Sequence, residues 1–153
     1  MNYWLMKSEP DAFSIDDLKA CPKKTEHWDG IRNYQARNMM RDDMKKGDEI
    51  FFYHSNAKEI GIVGIAKVAR EAYPDFTAFD PKSKYFDPKS SPDNPRWVMV
   101  DVKFVRKLKR TITLDELKQH AARLKDFTLL KKGNRLSIMP VTKKQWDYIL
   151  KLE

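Results

Sequence analysis

The chain has 153 residues, of which 41% are hydrophobic and 34% charged, and its formal net charge is +8 at pH 7. This composition excludes a disordered chain and is typical of one globular domain, which we expect to span residues 1–153. In residues 96–153, 15 lysines and arginines stand against 6 acids, whereas residues 1–95 carry 15 against 16. A basic C-terminal part favours a polyanionic partner such as nucleic acid, although a well-solvated surface would have the same composition.

The expected location rests on features that the sequence lacks. Cys21 is the only cysteine, so no intrachain disulfide can form, which is typical of a reducing compartment. No apolar run approaches the ~20 residues of a membrane span, and Met1–Trp4 do not resemble a signal peptide. We therefore expect an intracellular, cytoplasmic protein, associated with the nucleoid or located in the nucleus if the host is eukaryotic.

Apolar patterning and helix caps predict the elements in chain order. The first strand ends before Pro10, and Ser14 followed by acids marks the start of a short helix. Capping boxes at Thr113 and Thr142 start two later helices, and the proline-rich segment 73–95 predicts a long loop. The other predicted elements are strands at 3–6, 48–54, 60–69 and 96–105, a helix at 33–44 and an extended piece at 137–140, with 124–130 ambiguous.

The order of these elements indicates the fold class. Strands and helices do not alternate regularly, which argues against a doubly wound parallel sheet. We predict an α+β protein in which short helices surround a small, curved, mixed or antiparallel sheet or β-barrel.

The segment 27–34 is the most informative one for function. Trp28 offers a flat ring for stacking, Arg32 and Asn33 are planar hydrogen-bonding groups close to it, and Gly30 permits a tight turn. A stacking ring beside such groups is what the recognition of one unstacked nucleobase requires. The alternative is that Trp28 is a core anchor and Arg32 a surface charge.

Patterns of catalytic and metal sites are absent from the sequence. His27, His54 and His120 have no metal-ligand spacing, so we expect neither a metal nor a cofactor. A Ser–His–Asp set could be assembled from Ser55, His54 and Asp101, but any chain of this size offers such a combination.

Polar residues follow two predicted strands and interrupt a third. Residues 7–9 end the first strand and residues 54–56 end the second, so they meet at one pocket mouth if the strands are neighbours. Asp101 lies among valines, where it either forms a structural salt bridge, for example to Lys7 or Arg32, or contacts a ligand.

A basic cluster in the C-terminal part is placed to hold phosphates near such a pocket. These charges position a nucleic-acid strand but do not select a base. The cluster consists of Lys103, Arg106, Lys107, Lys109, Arg110, Lys131, Lys132 and Arg135.

Seven segments, in this order along essentially the whole chain, resemble the EVE domain. They are Tyr3–Pro10, Trp28–Asn38, Gly47–Asn56, Gly61–Gly64, Ala72–Asp75, Trp97–Val102 and Arg135–Pro140. The resemblance implies a PUA-like fold related to the YTH and ASCH domains. It also implies a non-enzymatic pocket for a modified base, such as a methylated or hydroxymethylated cytosine in DNA, or a modified RNA base.

The related YTH domains imply which residues line the pocket. Their Lys-Ser pair after the first strand and their Trp after the first helix match Lys7-Ser8 and Trp28 of this chain. Where YTH domains carry a second Trp, this chain has an aliphatic residue near Val102, so the second wall falls to Tyr53 or Tyr73.

Three hypotheses remain open at this point. The first is a monomeric reader of a modified base in DNA or RNA, in which Trp28 stacks on the base. The second is a small enzyme acting on a nucleotide or nucleic acid, with Asp101 or His54 as its base, and the third is a protein-interaction module with a vestigial pocket. The pocket residues of the first are Lys7, Ser8, Glu9, Trp28, Arg32, Asn33, Tyr53, His54, Ser55 and Asp101.

Overall fold

The computed structural model describes residues 1–153 and contains one mixed sheet. Its six strands are β1 (Tyr3–Ser8), β2 (Thr25–His27), β3 (Glu49–His54), β4 (Gly61–Pro74), β5 (Val98–Thr113) and β6 (Ile138–Val141). They lie in the order β2-β5-β4-β3-β1-β6, with β1 and β3 parallel and all other neighbours antiparallel. The edge strands β2 and β6 are not hydrogen-bonded to each other, so the ladder stays open.

Four α-helices pack on this sheet, and side-chain caps fix where they begin. The Ser14 hydroxyl accepts from the Asp17 N–H at 3.0 Å, and the Asp17 carboxylate accepts from the Ser14 N–H at 2.8 Å. Thr142 and Gln145 form the same reciprocal pair, and each such cap stabilises its helix by about 1 kcal/mol. The helices are α1 (Ile15–Ala20), α2 (Tyr34–Asp42), α3 (Leu114–Gln119) and α4 (Lys143–Leu150).

The two faces of the sheet bury two separate cores, because successive side chains of a strand point to opposite faces. Trp4 and Met6 of β1 pack in one core with α1 and α2, whereas Leu5 packs in the other with α3 and α4. Phe52 and Phe51 of β3 divide in the same way. Each fully buried large apolar side chain contributes roughly 1.5–3 kcal/mol, so both faces hold the strands in register.

The long strands β4 and β5 have 14 and 16 residues and pair along most of their length. Their register shifts at four places, which is typical of β-bulges. Bulges bend a strand and increase its twist, so this pair curls the sheet. Residues of the loop after β4 and the end of β1 line the same cavity, where the candidate site lies.

The predicted α+β class with a mixed sheet and short helices is confirmed, but several boundaries differ. The strand predicted at 96–105 continues to Thr113, because Leu108 and Ile112 are buried between exposed cations. The three-residue β2 was not predicted, since it has no apolar pattern and pairs only with β5. The ambiguous segment 124–130 contains the 3-10 turn Thr128–Leu130. None of the helices is long and apolar enough to span a bilayer.

Candidate functional site

A cavity of about 530 Å³ opens at the carboxyl end of β1. This volume is in the range of small-ligand pockets. A larger groove of about 610 Å³ lies at the opposite end of β1, but it contains none of the predicted site residues. The cavity is lined by Lys7, Ser8, Glu9, Ala12, Phe13, Glu26, His27, Trp28, Asp29, Gly30, Ile31, Lys84, Tyr85 and Ser137.

Trp28 is both a core residue and a wall of the cavity. Its side chain is 9% exposed and meets Phe52 and Phe13 edge to face, with ring centroids 5.6 and 6.4 Å away. Its backbone N–H donates to the Val100 carbonyl at 2.8 Å, which fixes the segment after β2 to β5. Trp28 is therefore a core anchor, and the same packing holds its ring in place at the cavity wall.

Tyr85 covers Gly30 on another wall of the cavity. Gly30 has a φ of +77°, and a Cβ built on it would lie 2.5 Å from a ring carbon of Tyr85. Any side chain at this position would displace the ring. The sequence did not single out Tyr85 as a site residue, because it lies in a proline-rich loop whose path is not set by any local pattern.

Arg32 and Asp75 hold this loop against the cavity wall. The Arg32 guanidinium donates to the Asp75 carboxylate at 3.0 Å and to the Tyr85 carbonyl at 2.6 Å. Asp75 is fully buried and also accepts from the Gly30 N–H at 2.9 Å. Burial alone would raise the pKa of Asp75, but hydrogen bonds from Thr77, Gly30 and Arg32 hold it below its ordinary value.

Lys7 and Ser8 both line the cavity at the end of β1, but only the Ser8 side chain is on the Trp28 face of the sheet, because the Lys7 ammonium lies towards Tyr53 on the other face. Burial lowers the pKa of the half-buried Lys7 ammonium, which lies 5.8 Å from the centroid of the Tyr53 ring. The Ser8 hydroxyl donates to the Phe13 carbonyl at 2.5 Å, so towards a ligand it can only accept. Glu9 lies at the rim and accepts from the Asn56 side chain at 3.2 Å.

An acidic side of the cavity lies on the segment that follows Thr25. The His27 ring is 2.9 Å from the Glu26 carboxylate through Nδ1 and 3.8 Å from Asp29 through Nε2. Burial raises the pKa of Asp29, and the nearby His27 opposes this shift. Apart from Glu9, no acid of the cavity was predicted, because Glu26 and Asp29 look like ordinary surface charges in the sequence.

Six of the ten predicted pocket residues do not line the cavity, and Asn33, Tyr53 and Ser55 are three of them. Asn33 caps α2, where its side-chain oxygen accepts from the Ala36 N–H at 2.9 Å. Tyr53 is buried in the core on the other face of the sheet, and burial raises its pKa to about 12. The Ser55 N–H donates to the Ser8 carbonyl at 3.0 Å, so it supports the cavity through the backbone.

Asp101 is held by Tyr73, whose hydroxyl donates to it at 2.5 Å. The predicted salt bridge to Lys7 or Arg32 is wrong, because β4 and β3 separate β5 from β1 and Arg32 is committed to Asp75. Burial and the Asp101 carboxylate raise the pKa of Tyr73. Tyr73 lies outside the cavity lining, and Val102 is buried in the core.

His54 belongs to a different surface groove of about 490 Å³. Its Nε2 accepts from the Ile15 N–H at 3.1 Å, so this nitrogen carries no proton, and burial lowers the pKa of the ring. His54 and Asp101 have separate partners, and neither shares a hydrogen bond with Ser55. The Ser–His–Asp combination is thus not assembled, and no cluster of three or more metal-ligating side chains is present.

The predicted basic cluster divides into two parts. On β5, Arg106, Lys107 and Arg110 form ion pairs with Glu153, Asp16 and Glu116, whereas Lys103 and Lys109 form none. The second part is an exposed turn formed by Lys131, Lys132 and Arg135, without ion pairs, two residues before Ser137 of the cavity. Lys84, which was not predicted, lies at the cavity itself, 5.0 Å from the Tyr85 ring centroid.

The arrangement of the sheet and helices is also found in a solved protein of low sequence identity. The fold is that of the YTH domain of the MRB1 protein of Zygosaccharomyces rouxii, solved with N6-methyladenosine RNA. The two structures have a TM-score of 0.56 over 99% of this chain and 83% of that one. At 16% sequence identity, this likeness concerns the fold alone.

Residues 2–152 match the EVE domain, and the chain belongs to this family. Thymocyte nuclear protein 1 of Mus musculus is 53% identical over 99% of this chain and 74% of its own length. The structure of human THYN1 protein in complex with 5-methylcytosine-containing DNA has a TM-score of 0.94 and 50% identity. That comparison covers 99% of this chain and 97% of the human one.

Proposed function

We propose that this protein binds nucleic acid carrying a modified base, and that the cavity beside Trp28 receives this base. The observation that carries the proposal is the cavity itself, in which Trp28 and Tyr85 supply aromatic walls within an EVE domain. An unstacked base gains about 1–3 kcal/mol from stacking on such a ring. Human THYN1, solved with 5-methylcytosine DNA, supports cytosine in DNA as the first base class to test.

The geometry supports a revised division of roles among the candidate residues. Trp28 and Tyr85 stack on the base, and Ser8 accepts a hydrogen bond from its edge. Lys84, which lines the cavity, and the basic turn 131–135, which lies close to Ser137 of the lining, hold phosphates, since neither has an acidic partner. Arg32 and Ser55 support the cavity from outside its lining through Asp75, the Tyr85 carbonyl and the Ser8 carbonyl. The other candidates outside the lining have no ligand contact in this proposal: Asn33, Tyr53, His54 and Asp101.

We propose binding without chemical turnover. In support, the histidines His27, His54 and His120 contact Glu26, Asp29, a backbone N–H and Tyr148, but no serine, threonine or cysteine. A nucleophile activated by a general base needs such a contact. We further propose that residues 1–153 act as one monomeric domain within the cell, in the nucleus of a eukaryotic host, as the name of the mouse relative supports.

The proposal is tested by a binding screen with short single-stranded and duplex oligonucleotides. Each sequence carries cytosine, 5-methylcytosine, 5-hydroxymethylcytosine, adenine or N6-methyladenine at one position, and binding is measured at two salt concentrations. We expect at least one modified base to bind about tenfold more tightly than its plain counterpart, in line with one well-formed base contact.

The screen separates the competing functions. Equal binding of all bases with a steep salt dependence would leave only a basic surface and contradict the base pocket. No salt-dependent binding at all would favour a protein-interaction module. Conversion of the bound nucleoside, detected by mass spectrometry after incubation, would identify an enzyme.

The phosphate contacts predict different effects for two charge reversals. Lys84→Glu is expected to weaken binding to every sequence alike and to reduce the slope of log K against log salt by about 1. Lys107→Glu makes the same charge change on β5, where the native lysine pairs with Asp16 at 2.9 Å, so its effect should be smaller. A larger effect of Lys107→Glu would place the nucleic acid on β5 instead of at the cavity.

A further inference from the structure

Asp29 occupies a distinctive position on the cavity wall. It lies between the stacking ring of Trp28 and the tight turn at Gly30 that Tyr85 covers. Its side chain is 32% exposed, and its only ion-pair distance is the 3.8 Å that separates it from Nε2 of the His27 ring. No lysine or arginine neutralises it, and no other side chain donates a hydrogen bond to it. Its carboxylate oxygens therefore keep free acceptor capacity at the cavity.

The charge of Asp29 restricts what it can contact in a nucleic acid. A carboxylate repels phosphates, so its place beside a proposed phosphate-holding surface calls for a hydrogen-bond donor of the ligand. The base edges offer such a donor in exocyclic amino groups, and Asp and Glu side chains accept from the N4 amino group of cytosine. Thymine presents the O4 acceptor at the same position, which a carboxylate repels.

The position of Asp29 next to Trp28 fits this contact. A base that stacks on the tryptophan ring uses its face there, so its edge is left for the neighbouring groups of the wall. Burial, which raises the pKa of Asp29, disfavours the bare charge, and a hydrogen bond from the ligand would compensate for the lost solvation.

We propose that Asp29 determines base specificity by accepting a hydrogen bond from the exocyclic amino group of the captured base. The cavity then selects amino-bearing pyrimidines, the cytosine class, over thymine and uracil. This inference rests on the proposed base-binding function and names the edge of the base that the cavity reads.

The test compares 5-methylcytosine with thymine at one position of the same single-stranded oligonucleotide. The two bases share the ring and the 5-methyl group and differ in the amino or oxo group at C4 and in the proton at N3. The parent protein is expected to prefer 5-methylcytosine on the order of tenfold, the discrimination of one good polar contact. In Asp29→Asn the amide can donate as well as accept, so thymine binding should rise and the preference should approach one.

Asp147→Asn is the matched control, since it removes the same charge from an exposed site on α4 that pairs with Lys143. It should leave the preference unchanged. An oligonucleotide with an abasic site supplies the reference for base binding. If the parent binds 5-methylcytosine and thymine with equal affinity, and both more tightly than the abasic site, the inference is overturned while base binding stands. The inference is also overturned if folded Asp29→Asn keeps the full preference for 5-methylcytosine. Binding no tighter than to the abasic site would overturn the proposed function itself, and the inference with it.

Discussion

Replacement of Trp28 by alanine is expected to lower the free energy of base binding by about 1–3 kcal/mol and that of unfolding by about 3–5 kcal/mol. The first loss follows because the cavity loses a stacking wall. The second follows because the ring is 9% exposed and packs against Phe52 and Phe13. Chemical denaturation measures the stability, and the affinity ratio of modified to plain oligonucleotides measures the base contact.

A control variant at a tryptophan on the opposite face of the sheet separates the loss of base binding from the loss of stability. Trp146 is buried and stacks on Phe51, with ring centroids 3.8 Å apart. Trp146→Ala should therefore destabilise the protein to a similar degree without changing the affinity ratio of the folded protein. If Trp28→Ala also leaves that ratio unchanged, the tryptophan is a core residue only and the stacking proposal is wrong.

Replacement of Arg32 by methionine is expected to destabilise the protein by about 3–5 kcal/mol, the usual cost of breaking a buried ion pair on one side. The variant leaves the fully buried Asp75 carboxylate without its cation. It also removes the donor to the Tyr85 carbonyl, so the wall of the cavity should loosen and base binding should weaken with stability. Arg41→Met is the control, because Arg41 pairs with its neighbour Asp42 at the surface, and no measurable loss is expected there.

The pH dependence of stability gives the same contact a second readout. The pKa of Asp75 in the folded protein lies below its ordinary value. The ionised Asp75 therefore stabilises the folded protein fully above the unfolded pKa of about 3.9, and this stabilisation is lost as the pH falls through the lower folded pKa. Arg32→Met removes one cause of the lowered pKa. The loss of stability on acidification below about pH 4 should therefore be shallower in this variant than in the parent. Identical slopes would show that the ion pair has no net effect on the protonation of Asp75.

Local sequence patterns predicted where three of the helices begin. Ser14, Thr113 and Thr142 cap helices as their spacing indicated, because a cap needs only residues within one turn. Trp28, Lys7 and Ser8 line the cavity, and they were candidates because of the resemblance to YTH domains and of their place near strand ends. The helix caps required no knowledge of which distant segments meet.

The parts that the sequence did not predict depend on long-range pairing. Tyr85 reaches Gly30 only because Arg32 and Asp75 join segments that are 43 residues apart. Arg32 was expected to line the base pocket, but it pairs with the buried Asp75 instead. A guanidinium near a tryptophan can bind a ligand or a buried carboxylate equally well, and the sequence alone does not say which. The partner of Asp101 was missed for the same reason, because the bulges between β4 and β5 decide that it meets Tyr73.

The placement of β1 has a consequence for the order in which the molecule can assemble on the ribosome. Residues 3–8 leave the tunnel well before residues 138–141, yet one neighbour of β1 is β3 and the other is β6, at residues 138–141. The Lys7 N–H finds its acceptor, the Ser137 carbonyl, only after residue 137 has been synthesised. The cavity at the end of β1 is therefore completed only after residue 137 has emerged, and until β6 pairs with β1 a ribosome-bound chain has an open strand edge there.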